Sequence, residues 1–174
     1  MSAGLAEDDR LTIEQQVCFA LAVASRDVIA LYRPFLEPLG LTHPQYLVMV
    51  ALWGHAGPIC VKDLSALLKL EPPSLSPLLK RLEAAGLIDR RRDPTDERSV
   101  LISLTPPGQD LRHRAATVPN AVLERLGMSL DELQTLQTAL IRVIDHANTP
   151  TTTQPVTQQA PMTSIDPDAA ASTS

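Results

Sequence analysis

The chain has 174 residues, 44% hydrophobic and 20% charged, the length of one ordinary domain with a soluble, globular balance. Aromatics are only 3%, so Leu, Ile, Val and Ala must fill the core, and no apolar run approaches the roughly 18 residues of a membrane span. The net charge of −5 argues weakly against nucleic acid, the acidic start MSAGLAEDDR lacks the apolar stretch of a secretory signal, and two cysteines, Cys18 and Cys60, make no disulfide framework, so a reducing cytoplasm is the default expectation.

Residues 1–10 read as a flexible leader. Thr12 and Gln15 form a capping box, after which Ile13, Val17, Leu21, Ala24, Val28, Leu31 and Phe35 recur at helical spacing. This predicts a long first helix over about 12–35. EPLGL breaks it. A second helix opens at His43-Pro44, with Pro44 at its first position, and ends at Gly57-Pro58. VKDLSALLKL predicts a short amphipathic helix, and SLSPLLKRLEAAG a further one over about 73–85, closed by Gly86. The period then changes. LIDRRR and SVLISL read as strands around the turn DPTDER, hence a two-stranded hairpin. Helices follow over about 108–117, 119–127 and 129–147, the last capped by Ser129 with Glu132. Residues 148–174 are rich in Thr, Pro, Gln and Ser and are expected to be disordered, which leaves residues 11–147 as the folded domain.

The predicted class is mainly α with a small β-wing. Two short helices followed by a charged hairpin is the layout of a winged helix-turn-helix, whose second helix enters the DNA major groove. The charge is uneven in the matching place: residues 80–92 carry five Lys/Arg against Glu83 and Asp89. On composition alone such a run is most often a solvated face; its position after two short helices turns it toward DNA. Lys80, Arg81, Arg90, Arg91, Arg92 and Arg98 are the phosphate candidates. Ser74 and Ser76 lie where a recognition helix offers its first residues to bases. His55, His113 and His146 are scattered, no Cys/His spacing suggests zinc, and no Gly-rich phosphate loop is visible, so no cofactor is expected. Tyr46 and Trp53, seven apart, read as core.

DERSVLISLTPPG (96–108) resembles the wing signature of the MarR family of bacterial transcription regulators, through Asp96, Arg98, Leu104, Thr105 and Gly108. LSPLLKRLEAAGLI resembles its recognition helix. VCFALAVASRDVIALYRPFLEPLGLTHPQYLVMVALW resembles the organic hydroperoxide-sensing branch, the OhrR repressors, and the likeness runs over about 14–146. The resemblance implies a homodimer through N- and C-terminal helices on a pseudo-palindromic operator. It implies peroxide sensing at Cys18, with Tyr32 and a second residue, here His43, hydrogen-bonding the sulfur. It implies that Asp96 holds the wing tip through an Asp–Arg pair with Arg98, which enters the minor groove.

Three departures stand out. His43 replaces the usual Tyr of the stretch Thr-Tyr-Pro-Gln-Tyr; imidazole still donates a hydrogen bond. No resolving cysteine lies in the late helices, so the resemblance is to the single-cysteine type, in which the oxidised sulfur is trapped by a small external thiol or overoxidised. Pro72-Pro73 stands where small polar residues usually donate to DNA, and proline lacks the N–H.

Geometry adds one inference. Cys18 and Tyr32 are fourteen residues apart, about 21 Å along a helix. If both belong to one site, the tyrosine comes from a second copy of the chain. The alternatives are a Cys18 that is only a small buried hydrophobe, a regulator answering to a small aromatic or phenolic ligand, a thiol peroxidase, and a DNA-architectural protein without a switch. Cys60 reads as packing.

Overall fold

The computed structural model describes residues 16–96 and 98–147; the leader, the Thr12–Gln15 box and the tail after 147 lie outside them. The described residues divide after Met128 into two compact units.

In the first unit, α1 (Val17–Leu36) follows an extended Gln16 and therefore starts later than the apolar period suggests. A 3-10 turn (Glu37–Leu39) and Gly40, at φ +69°, reverse the chain. α2 (His43–Gly54) has Thr42 as its N-cap, which puts Pro44 at the second helical position rather than the first. The N–H and Oγ1 of Thr42 both donate to Gln45 Oε1 at 2.9 Å. Next come a two-residue strand β1 (Ile59–Cys60), α3 (Val61–Leu68) and α4 (Pro72–Ala84). Gly86, at φ +68°, follows α4 and its N–H bonds Glu83 O, the expected left-handed stop.

β2 (Ile88–Arg92) and β3 (Val100–Leu104) pair antiparallel in full register, Arg90 opposite Ile102. The expected two-stranded ribbon has a third member: β1 pairs with β3, Cys60 opposite Leu101, in the order β1-β3-β2. Two residues are too few to show a period-2 pattern, so this strand exists only through its partner. α5 (Pro106–Ala115) starts two residues before its expected start, because Thr105 Oγ1 accepts from the Gly108 N–H at 3.2 Å. α6 (Val118–Leu126) completes the unit.

The core is aliphatic, as the low aromatic content requires. Leu36, Val48, Met49, Leu64, Leu75, Leu79, Leu82, Ile88 and Ile102 are all but sealed from solvent. They come from α1, α2, α3, α4 and the sheet, so one nucleus fixes both short helices against the ribbon. Tyr46 is buried with them; Trp53 is only partly so. The second unit contains α7 (Leu130–Ala147), started by Ser129, whose N–H and Oγ donate to Glu132 Oε2 at 2.8 and 2.7 Å. α7 buries none of its residues within this chain.

Candidate functional site

The first candidate site is split along α1. Cys18 stands in the helix's first turn, exposed, its thiol free and only 4.0 Å from Gln16 Oε1. Val17, Phe19 and Leu21 around it are also exposed. Tyr32 lies at the other end, where the reversal returns α2 against α1. There its ring meets His43 edge-on, centroids 4.8 Å apart, and lies 5.9 Å from Tyr46. Tyr46 in turn meets Trp53 at 6.4 Å. The chain thus brings Tyr32 and His43 together and leaves Cys18 about 21 Å of helix rise away. Partial burial lowers the His43 pKa, so its ring is neutral at pH 7. Burial, then the neighbouring Tyr32, raises that of Tyr46. A cavity of about 630 Å³ opens beside this corner, lined among others by Arg26, Ile29, Arg33, Leu41, His43 and Pro44.

The second candidate site is the α3–α4 pair with its ribbon. Ser74, Lys80 and Arg81 are exposed on α4, and Ser76 is half-buried. Among the ribbon residues, Arg91 is well exposed and lies 3.8 Å from Asp89. Arg90 differs from the expectation of a free phosphate arm. It folds back onto α4, with Nη1 3.6 Å from Glu83 Oε2, and its Nε is buried without a hydrogen-bond partner among the described residues. At the tip, Asp93 Oδ1 accepts from the Thr95 N–H and hydroxyl at 2.8 and 2.7 Å, which holds its carboxyl below the usual range. The expected pairing of Asp96 and Arg98 takes a main-chain form. Asp96 accepts from the Arg98 N–H at 3.1 Å and from Ser99 Oγ at 2.8 Å. Arg98 is exposed.

Between the two sites runs a chain of contacts that sequence reasoning missed. Trp53 Nε1 donates to Gly108 O at 2.8 Å. A Cβ on Gly108 would come within 2.0 Å of Leu87 O, so only glycine fits there. Thr105 Oγ1 donates to Gly86 O at 2.6 Å, the residue that ends α4. Cys60, expected as packing, is the N-cap of α3, its sulfur accepting from the Asp63 N–H at 3.4 Å. His55 and His113, scattered in sequence, line one cleft with Trp53 and Arg112. No cluster of metal-binding side chains occurs among the described residues.

Two short helices fixed on one core, followed by a basic antiparallel ribbon, make this a winged helix-turn-helix protein. The MarR family model matches residues 41–100. The organic hydroperoxide resistance transcriptional regulator of Bacillus subtilis is 40% identical over 137 residues, 79% of this chain and 92% of that protein. The regulator TtmR of Methylorubrum extorquens is 40% identical over 150 residues, 85% of this chain and 76% of that one. Among solved structures, reduced AbfR bound to DNA aligns with a TM-score of 0.67 at 29% identity, over 81% of this chain and 98% of that one; AbfR comes from Staphylococcus epidermidis. The chain belongs to the MarR family of transcriptional regulators. Among the described residues no helix is long and apolar enough to cross a membrane.

Proposed function

We propose that this regulator is a homodimeric, DNA-binding repressor of the cytoplasm, released from a pseudo-palindromic operator when organic hydroperoxide oxidises Cys18. The observation that carries the reading is the separation of Cys18 from Tyr32 along a single α1, with His43 of α2 held against Tyr32 at the far end. An exposed thiol at one end of the helix and two hydrogen-bonding rings at the other form one site only if two α1 helices run antiparallel. Each unit has apolar surface of its own to offer a partner: α1 exposes Val17, Phe19, Leu21 and Ile29, and α7 exposes Leu130, Leu136, Ile141, Val143 and Ile144. Apolar residues in that number need a partner.

The chemistry is one displacement. The Cys18 thiolate attacks the terminal oxygen of the hydroperoxide and the O–O bond breaks. Sulfur gives up two electrons and becomes sulfenic acid, and the alkoxide takes a proton and leaves as an alcohol. The main-chain N–H groups at the start of α1 and the donors Tyr32 and His43 of the second subunit stabilise the negative sulfur. Without a resolving cysteine in the late helices, a small thiol completes the reaction. Oxidation at the dimer seam alters the spacing of the two α4 helices, whose half-sites lie about 34 Å apart. Loss of one half-site removes much of the affinity. On DNA, Ser74 and Ser76 face bases, Lys80, Arg81, Arg91 and Arg92 face phosphates, and Arg98 reaches the minor groove with the wing tip held by Asp96.

A second reading rests on the cavity beside His43: a small aromatic or phenolic ligand seated there would release the DNA with Cys18 incidental. As a peroxidase, the chain would consume far more than one equivalent of peroxide with excess thiol; a sensor turns over once.

The test is binding of the reduced protein to its own upstream DNA at fixed salt, followed by one equivalent of cumene hydroperoxide. Release of wild type and Cys60→Ser but not Cys18→Ser is expected. Tight binding that ignores peroxide in all three sinks the sensing role and leaves the ligand reading.

A further inference from the structure

The start of α4 is unlike a helix end built to grip phosphate. Such an end works through its free main-chain N–H groups and the positive dipole. Here Pro72 and Pro73 occupy the first two helical positions and have no N–H. The third, Ser74, bonds Glu71 O at 2.9 Å, and Leu75 bonds the same oxygen at 3.1 Å. The first three residues of α4 therefore leave no free main-chain donor. The N-cap is Glu71, exposed and without a side-chain cap bond, and its carboxylate repels phosphate.

The outer face of the helix is equally distinctive. Leu75, Leu79 and Leu82 are buried and define the core side. By the 3.6-residue period, Pro73 and Pro77 project to the opposite side, one turn apart, and both are exposed. Lys80 and Arg81 flank them toward the C-terminal end. The face is a rigid apolar ridge with cationic borders. Proline rings here lose no rotamer entropy on contact.

We propose that Pro73 and Pro77 read thymine C5-methyl groups in the major groove. Among the four bases, only thymine presents an apolar group on that edge. A donor-free, acid-capped helix start is repelled by the phosphate backbone and tolerated over base edges. Charge complementarity brings the same face to DNA, because Lys80 and Arg81 border it. Specificity at these positions is then for a methyl group, where a hydrogen-bonding residue would select an acceptor or donor pattern. The inference rests on the DNA-binding reading above.

Duplexes are selected from a random pool with the full-length reduced protein at low salt. Each thymine of the selected half-site is then replaced singly by deoxyuridine, which removes only the methyl. Burial of one methyl predicts about a fourfold loss at one or two positions per half-site. That loss should shrink below twofold in Pro73→Ser or Pro77→Ser, with circular dichroism confirming helix content. Deoxyuridine tolerated everywhere by wild type overturns the proposal without needing any protein variant. A loss that persists unchanged in both variants assigns the methyl contact elsewhere and overturns it too. No selected binding at low salt defeats the DNA reading itself, a separate and distinguishable result.

Discussion

Tyr32 and His43 meet edge to face, ring centroids 4.8 Å apart, although eleven positions and a chain reversal separate them. Their contact locks α1 to the start of α2 and presents two hydrogen-bonding rings at one corner. Burial holds the His43 pKa below the ordinary value of about 6.5.

That shift has a defined sign. Between the lowered folded pKa and about 6.5, the unfolded chain binds more protons at this residue than the folded one, so stability rises with pH. Stability should be full above about 6.5 and fall as pH drops below it towards the lowered folded value. His43→Gln should flatten this part of the profile. Urea midpoints at fixed protomer concentration between pH 5.5 and 7.5 measure it, and an unchanged slope in the variant would refute the assignment.

Gly108 sits where Leu87 O leaves no room for a Cβ. Gly108→Ala must push α5 away from Leu87, the residue that leads into β2, and overpacking of backbone by backbone costs roughly 3 kcal/mol. A urea midpoint within error of wild type would contradict the geometry.

Thr105 both caps α5, through the Gly108 N–H, and donates to Gly86 O. Thr105→Ala should cost about 1–2 kcal/mol, from a lost cap and an unsatisfied carbonyl. Thr105→Ser keeps the hydroxyl and should recover most of it. Equal losses in the two variants would mean that the methyl, not the oxygen, matters there.

The arginines of the ribbon are not equivalent. Removing Lys80 or Arg81 should lower the slope of log affinity against log salt by about 0.9 each. Arg90, drawn back to Glu83, should change it by less than half as much. Fluorescence anisotropy across a salt series gives the slopes, and a full unit lost in Arg90→Ala would show that it leaves Glu83 for DNA.

The order of helices and strands was legible because periodicity and stop signals are local. Leu75, Leu79 and Leu82 mark a buried face, Gly86 supplies a positive φ, and the short apolar run VLISL, with β-branched Val100 and Ile102, marks a strand. The Ser129–Glu132 cap was legible for the same reason. Residues 96–108 and the stretch around Cys18 carry the family resemblance in local sequence alone. β1 was not legible, since two residues carry no pattern until β3 supplies the partner. The true start of α1 was obscured because the apolar period runs on past Gln16, where the backbone is already extended.

The sequence by itself determined which residues could carry chemistry: one thiol in the first helix, tyrosines and a histidine downstream, and arginines after two short helices. Tertiary structure decided which of them meet. It joined Tyr32 to His43, set Cys18 a helix length away, and turned Arg90 inward to Glu83. It also tied Trp53 to Gly108, 55 residues on. The reason is physical: helix propensity and turn chemistry act over a few residues, whereas a hydrogen bond or ring contact between distant residues exists only once the core has closed around both.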